Sequence, residues 1–147
     1  MFLILIVKLL TKLFTQLIVK FKILCYNIYV KGIHMKIIKK ECINIETTDS
    51  HNGSGTRKLY LQPNEIDNVE GMTYGKLPVG NTFAWHNHKD VNEIMFVISG
   101  EGTIKDEDGK YTYTRGDVFV FPDGVFHEIS ALGTSISKFV FIRVFVS

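Results

Sequence analysis

From about residue 55 onward, apolar and polar residues alternate with a period of two, and turn-forming residues interrupt the pattern at short intervals. This combination is typical of antiparallel β-sandwiches and β-barrels. Val, Ile, Thr, Tyr and Phe dominate the alternating stretches, as their β-propensity predicts. The sequence therefore predicts an all-β fold in one domain. The predicted strands cover residues 57–61, 72–77, 82–88, 93–98, 102–106, 110–114, 117–121, 126–130 and 137–146.

Turn signals refine the ends of these strands. All three prolines fall outside the predicted strand interiors, where a missing N–H group does no harm. The pair Asp108-Gly109 predicts a tight hairpin, because turns of that hand need positive φ. Residues 64–70 are a candidate for a single helical turn, and residues 46–56 are predicted to form a polar loop.

The charge of the chain is unevenly distributed, although its net value is only +2. Residues 1–40 contain eight lysines and no acidic residue. From Met35 onward, twelve Lys and Arg stand against fifteen Asp and Glu, which gives a net charge of −3. That part of the chain has no basic stripe and no interleaving of basic and aromatic residues. Nucleic acid is therefore excluded as an expected partner.

The first 34 residues are apolar but studded with lysine, and they allow two interpretations. Their longest uninterrupted apolar run, Met1–Val7, is far shorter than the roughly 20 residues that span a bilayer. The segment lacks the order of a secretory signal, and it is compatible with a basic amphipathic helix at a membrane surface. The interpretation that we favour is an upstream reading-frame extension, with the domain proper covering residues 35–147. Peripheral membrane binding is the alternative.

Two cysteines, Cys25 and Cys42, fit no metal-binding spacing. Only one of them lies beyond Met35, so the domain of residues 35–147 cannot form an internal disulfide. Two ordinary thiols in a reducing compartment are the expectation, which predicts a cytoplasmic protein.

Four side chains with metal-binding chemistry occur at short, regular spacings. His86 and His88 are one residue apart, so on a strand both imidazoles point to the same face. Glu93 opens the next predicted strand, and His127 comes from a strand more than thirty residues later. Three imidazoles and a carboxylate suit Mn, Fe, Co, Ni, Cu or Zn better than Ca or Mg. The sequence therefore predicts one divalent transition metal per chain.

Glycine and proline occur at fixed positions around these four residues. The first stretch reads G-x5-H-x-H-x4-E-x6-G over residues 80–100, and the second reads G-x5-P-x-G-x2-H over residues 116–127. The chain resembles single-domain members of the cupin superfamily across about residues 60–147. One departure is Ala131, which stands where the second motif usually ends in a structural asparagine. The resemblance implies an antiparallel double-stranded β-helix, or jelly-roll barrel, commonly a homodimer, with a metal near its centre.

Strand alternation predicts which side chains line the pocket beside the metal. Residues two and four positions before His86 share its face, and residues two and four positions after Glu93 share that of the carboxylate. His51, in the pattern His-x-Gly-x-Gly, resembles a segment near the barrel mouth of small cupins related to oxalate-type decarboxylases. Further candidates lie on strands too far from the motif for parity to be fixed, namely Tyr74, Lys76, Phe139, Phe141 and Arg143. The expected pocket residues are Thr82, Ala84, Met95, Val97, Tyr74, Phe139 and His51.

Three functional interpretations remain open at this point, and no catalytic residue beyond the ligands is identified. The first is a metal-dependent enzyme that acts on a small carboxylate, keto or sugar-derived compound as a dioxygenase, decarboxylase, isomerase or lyase. The second is a non-catalytic module that binds a metal or a small ligand. The third is a membrane-associated protein in which the barrel is incidental. The complete ligand set favours the enzyme, whereas the fold alone cannot select a reaction.

Overall fold

The computed structural model of the protein describes residues 48–146. Every regular element in this range is a β-strand, which confirms the predicted all-β fold. Among the same residues, no helix is long and apolar enough to cross a membrane. The strands are β1 (Thr48–Ser50), β2 (Gly55–Leu61), β3 (Val69–Leu77), β4 (Thr82–His86), β5 (Val91–Ser99), β6 (Glu101–Asp106), β7 (Lys110–Tyr113), β8 (Val118–Phe121), β9 (His127–Leu132) and β10 (Ser137–Phe145).

Three predictions concern residues outside the described range. They are the extension 1–34, the domain start at Met35 and the state of the two cysteines. The cytoplasmic location that rests on those cysteines stays a prediction.

The strands form two antiparallel sheets. One has six strands in the order β1-β2-β3-β10-β5-β8, and the other has four in the order β4-β9-β6-β7. Alternate residues are buried in several strands, as in Val91–Ser99, because one face of each sheet turns toward the other. This is the layout of a jelly-roll barrel.

The core lies between the two inner faces and is largely aromatic. Phe139 of the six-stranded sheet is fully buried, and its ring centroid lies 6.4 Å from that of Phe83 and 5.4 Å from that of Tyr113, both in the other sheet. The Tyr113 hydroxyl is 2.8 Å from the Ser137 hydroxyl, so this polar group is buried with a hydrogen-bond partner. These contacts join the two sheets within the core.

Two local predictions fail near the start of the described range. The polar loop at 46–56 instead contains β1 and the beginning of β2, which pair with each other from Ser50 and Gly55 outward. The candidate helical turn at 64–70 is absent, because Asn64 and Asn68 have φ of 69° and 64°, in the left-handed region that ends a right-handed helix. β3 already begins at Val69.

The hairpin predicted at Asp108-Gly109 is present, and it connects β6 with β7. The last strand pair is Lys105 with Lys110, and beyond it the Asp106 N–H donates to the Gly109 carbonyl oxygen at 3.0 Å, which closes the turn around Glu107 and Asp108. The Asp106 carboxylate accepts hydrogen bonds from the backbone N–H groups of Asp108 (2.9 Å) and Gly109 (2.8 Å). An aspartate that binds the backbone of its own loop therefore shapes this turn, and Gly109 does not adopt positive φ.

Candidate metal centre

Three histidines meet on the inner side of the barrel. His86 ends β4, His127 begins β9, and the two are direct partners in the antiparallel register. Their ring centroids lie 4.3 Å apart, and the ring of His88 lies 5.0 Å from His86 and 5.4 Å from His127. One ring nitrogen from each residue falls within 4.8 Å of those of the other two. The three could therefore hold one metal ion.

Backbone carbonyl groups orient two of these rings. Nδ1 of His86 is 2.7 Å from the carbonyl oxygen of Ala84, and Nδ1 of His127 is 3.1 Å from that of Val125. When Nδ1 donates its proton to a carbonyl, Nε2 carries the lone pair, and this arrangement is common in metal-binding histidines. Nε2 of His127 is buried and has no hydrogen-bond partner. A bound metal would satisfy this nitrogen, whereas an unsatisfied buried polar atom costs about 1–3 kcal/mol.

Glu93 adds a carboxylate to the same cluster. It lies in β5 and is 6% exposed, which is rare for an ionised side chain without a partner. Its Oε2 is 3.1 Å from Nε2 of His88 and 3.9 Å from Nε2 of His127. The structure thus places Glu93 beside two of the three histidines, while the group whose donor atoms all lie within 4.8 Å of one another consists of the three histidines alone. The donor set of three nitrogens and one carboxylate fits a divalent transition metal.

Burial favours the uncharged form of two of these histidines. Burial, with help from His86 and His88, lowers the pKa of His127 to about 4, although the Val125 carbonyl and Glu93 oppose the shift. Burial likewise lowers the pKa of His86. A neutral imidazole is the form that binds a metal. These two ligands therefore have no proton to lose at neutral pH.

The metal-free protein is expected to lose stability as the pH falls from about 6.5 to 4. The pKa of His127 is about 4 in the folded chain against 6.5 unfolded, so acid protonates the unfolded state first. The contribution of His127 to the free energy of unfolding is fully present above pH 6.5, and about 3 kcal/mol of it is lost below pH 4. Urea denaturation of chelator-treated full-length protein at pH 7.5 and 4.5 measures the loss. The variant His127→Gln should show a smaller loss, and an equal loss would contradict the assignment.

A cavity adjoins the cluster. Its empty volume is about 440 Å³, part of which is open to solvent. His86, His88 and Glu93 form one part of its lining. The remainder combines two arginines and a histidine with apolar side chains. These further lining residues include His51, Arg57, Phe83, Ile129, Phe141 and Arg143.

Of the predicted pocket residues, His51 lines this cavity. Its ring centroid lies 4.3 Å from that of His86 and 4.9 Å from that of Phe83. Its backbone has a φ of 51°, in the turn between β1 and β2. Burial and then the neighbouring His86 lower the pKa of His51 to about 4. His51 does not belong to the group of three whose nitrogens converge.

Strict alternation does not describe β4. The pairing of β4 with β9 is irregular between Phe83 and His86, so the inward-facing residues before His86 change parity. Phe83 is buried and lines the cavity, whereas Ala84 is exposed. The Thr82 hydroxyl is 2.9 Å from that of Ser130 and lies outside the cavity lining.

The other predicted pocket residues lie elsewhere in the fold. Met95 and Val97 face inward as expected, and Phe139 also faces inward, but all three are fully buried in the core and do not reach the cavity. Tyr74 faces outward and stacks on Tyr60, with ring centroids 6.2 Å apart.

The sequence did not indicate some residues that line the cavity. Arg57, Phe83 and Ile129 were not predicted, while Phe141 and Arg143 were candidates without fixed parity. Arg57 is on β2, which carries no motif, and no spacing rule connects it with the histidines.

The fold and the site together define a small antiparallel β-barrel with a histidine-rich candidate metal centre. The chain belongs to the cupin superfamily. A family model of the cupin domain matches residues 73–143. An uncharacterized protein of Methanocaldococcus jannaschii is 31% identical over 102 residues, which cover 69% of this chain and 81% of that relative.

Solved structures show the same fold. A predicted oxalate decarboxylase from Thermotoga maritima superposes with a TM-score of 0.67 at 22% identity, over 76% of this chain and 100% of that one. Ectoine synthase from P. lautus gives a TM-score of 0.63 at 18% identity, over 75% of this chain and 78% of that one. At these identities the likeness shows the fold alone.

Proposed function

We propose that the protein is a metal-dependent enzyme acting on a small carboxylate, keto or sugar-derived compound. His86, His88, Glu93 and His127 would hold one divalent transition metal. The observation that carries this proposal is the buried, partnerless Nε2 of His127, which lies within 4.8 Å of a ligand nitrogen of each of the other two histidines. A polar atom left in this state is costly unless a ligand satisfies it.

The cavity favours an enzyme over a purely structural metal site. Structural sites are closed by protein ligands, whereas catalytic sites keep a position open for substrate or water. Four protein ligands leave two positions on a six-coordinate ion, and the cavity beside them opens to solvent. When bound, such an ion polarises a substrate oxygen as a Lewis acid. A predicted oxalate decarboxylase and ectoine synthase share this fold, and the fold itself selects no reaction.

The test begins with elemental analysis of the full chain, purified without chelators. We expect about one transition metal per chain, and then turnover within a panel of small acids, keto acids, sugars and catechols, with and without O₂. Protein that stays metal-free and has no affinity for added Mn, Fe, Ni or Zn would overturn the proposal. Metal-loaded protein that turns over nothing in the panel would favour the alternative, a non-catalytic metal-binding or ligand-binding cupin.

We also propose that two copies associate through the outer face of the six-stranded sheet. On that face Val118, Val120 and Phe96 are 56%, 61% and 43% exposed. The register places Phe96 opposite Val118 and Ile94 opposite Val120, so the exposed side chains form one apolar patch. Contiguous apolar patches mark interaction surfaces, and the family resemblance favours a second copy as the partner.

The variant Val120→Glu should convert the dimer to a monomer, because a charge at the centre of an apolar interface cannot be solvated there. Light scattering would report about twice the 16.8 kDa chain mass for the wild type and a single chain mass for the variant. Val79→Glu is the matched control, since Val79 is 43% exposed in the turn after β3. A monomeric wild type, or a Val120→Glu dimer, would contradict the proposal.

A further inference from the structure

Arg57 lines the same cavity as the candidate ligands, although it comes from a distant strand. Two strands, β3 and β10, separate β2 from β5, which carries Glu93. At about 4.8 Å per step, the axes of β2 and β5 lie roughly 14 Å apart before curvature of the sheet. Arg57 and Glu93 therefore line one cavity from strands that lie three steps apart in the sheet.

The guanidinium of Arg57 has no acidic partner in residues 48–146. Among these residues Arg143 forms an ion pair with Glu70, and Glu93 lies beside the imidazoles of His88 and His127. Nε of Arg143 is 2.6 Å from a Glu70 carboxylate oxygen, so the second arginine of the cavity is already neutralised. Arg57 is exposed at the opening, where its charge is near enough to contribute to the lowered pKa of His51.

The charge balance of the loaded site favours an anion. A divalent ion adds two positive charges and Glu93 removes one, while the pair of Arg143 and Glu70 cancels. Arg57 brings the total to +2. Its planar guanidinium presents two N–H groups in the geometry that matches the two oxygens of a carboxylate.

The lining beside Arg57 and the candidate ligands is mixed. Phe83, Ile129 and Phe141 contribute apolar side chains, and Thr73 and Arg143 contribute polar ones. The ring of Phe141 occupies the space beside Gly75, the register partner of Arg57.

From these observations we infer that Arg57 binds a carboxylate of the substrate. This inference rests on the proposed function. It narrows the substrate class to small acids that approach the metal with one end and carry a second carboxylate for Arg57. Arg57 is then a specificity-determining residue.

Matched pairs of small acids test the inference. The full chain, loaded with the metal that elemental analysis identifies, is titrated by calorimetry with 2-oxoglutarate against 2-oxopentanoate, and with 2-oxoadipate against 2-oxohexanoate. Within each pair the metal-binding end is the same, and only the remote carboxylate differs. We expect at least one diacid to bind about tenfold or more tightly than its partner, as a charge-assisted hydrogen bond would provide. Arg57→Gln should abolish this preference, and Arg57→Lys should keep only part of it.

Arg115→Gln, which removes an exposed arginine between β7 and β8, is the control and should keep the wild-type preference. Metal content is measured for each protein. A metal-loaded wild type that prefers neither diacid, or an Arg57→Gln variant that retains the preference, overturns the role of Arg57 and leaves the proposed function standing. A wild type that binds no metal overturns both.

Discussion

A chain carrying His88→Ala is expected to purify almost free of metal. His88 is one of three imidazoles whose ligand nitrogens lie within 4.8 Å of one another, and it is the closest histidine contact of Glu93, at 3.1 Å. Its removal deletes one ligand and leaves the carboxylate without that partner. The loss of affinity should exceed the roughly 10–100-fold that follows loss of an outer-shell partner. Elemental analysis and competitive metal titration measure it, with circular dichroism to show that the variant folds.

His51→Ala is the matched control for this experiment. It removes an imidazole from the same cavity, with a ring centroid 4.3 Å from that of His86, but His51 is outside the converging group. We expect His51→Ala to retain its metal. Full metal content in His88→Ala, or an equal loss in both variants, would refute the assigned ligand set.

The ligand cluster could be predicted from the sequence because most of it is local. His86, His88 and Glu93 occupy the end of one strand, the following turn and the start of the next strand, so their spacing alone brings them close. His127 is distant in sequence, but Gly124 fixes the turn before it with a φ of 78°. The spacing of the motif is therefore enough to predict that these side chains lie close together.

The cavity lining could not be predicted in the same way, for two physical reasons. Alternation fails wherever the pairing of two strands is irregular. The irregularity between Phe83 and His86 places Phe83 on the inner face, where alternation predicts Ala84. Strand alternation also predicts only which face of the sheet a side chain is on, and not whether it lies in the core or at the cavity. Met95 and Val97 face inward as predicted, yet they are buried in the core rather than in the cavity lining.

Arg57 illustrates a further limit. Its inward position depends on the register that pairs it with Gly75, and on the place of β2 three strands from Glu93. Long-range pairing of this kind arises from the packing of the whole sheet, and no local spacing encodes it. Residues that could select a substrate are thus less predictable here than residues that could bind the metal.

Phe139→Ala should destabilise the protein by about 3–5 kcal/mol, the usual cost of deleting a buried aromatic ring. Phe139 is fully buried, and its ring lies 5.6 Å from that of Phe141 as well as near the rings of Tyr113 and Phe83. In a domain of this size, each kcal/mol lowers the melting temperature by about 4–8 °C, so a drop on the order of 15 °C or more is expected. Differential scanning calorimetry of the full chain measures it.

The neighbouring Val140→Ala provides the matched control, because Val140 is only partly buried and faces outward. It should lower the melting temperature by a small fraction of the Phe139→Ala effect. The comparison also distinguishes a position of Phe139 in the core from a position in the cavity lining. A core residue changes stability and leaves metal content per folded chain unchanged, since Phe139 does not line the cavity. A variant with nearly wild-type stability but weakened ligand binding would instead place Phe139 at the cavity surface.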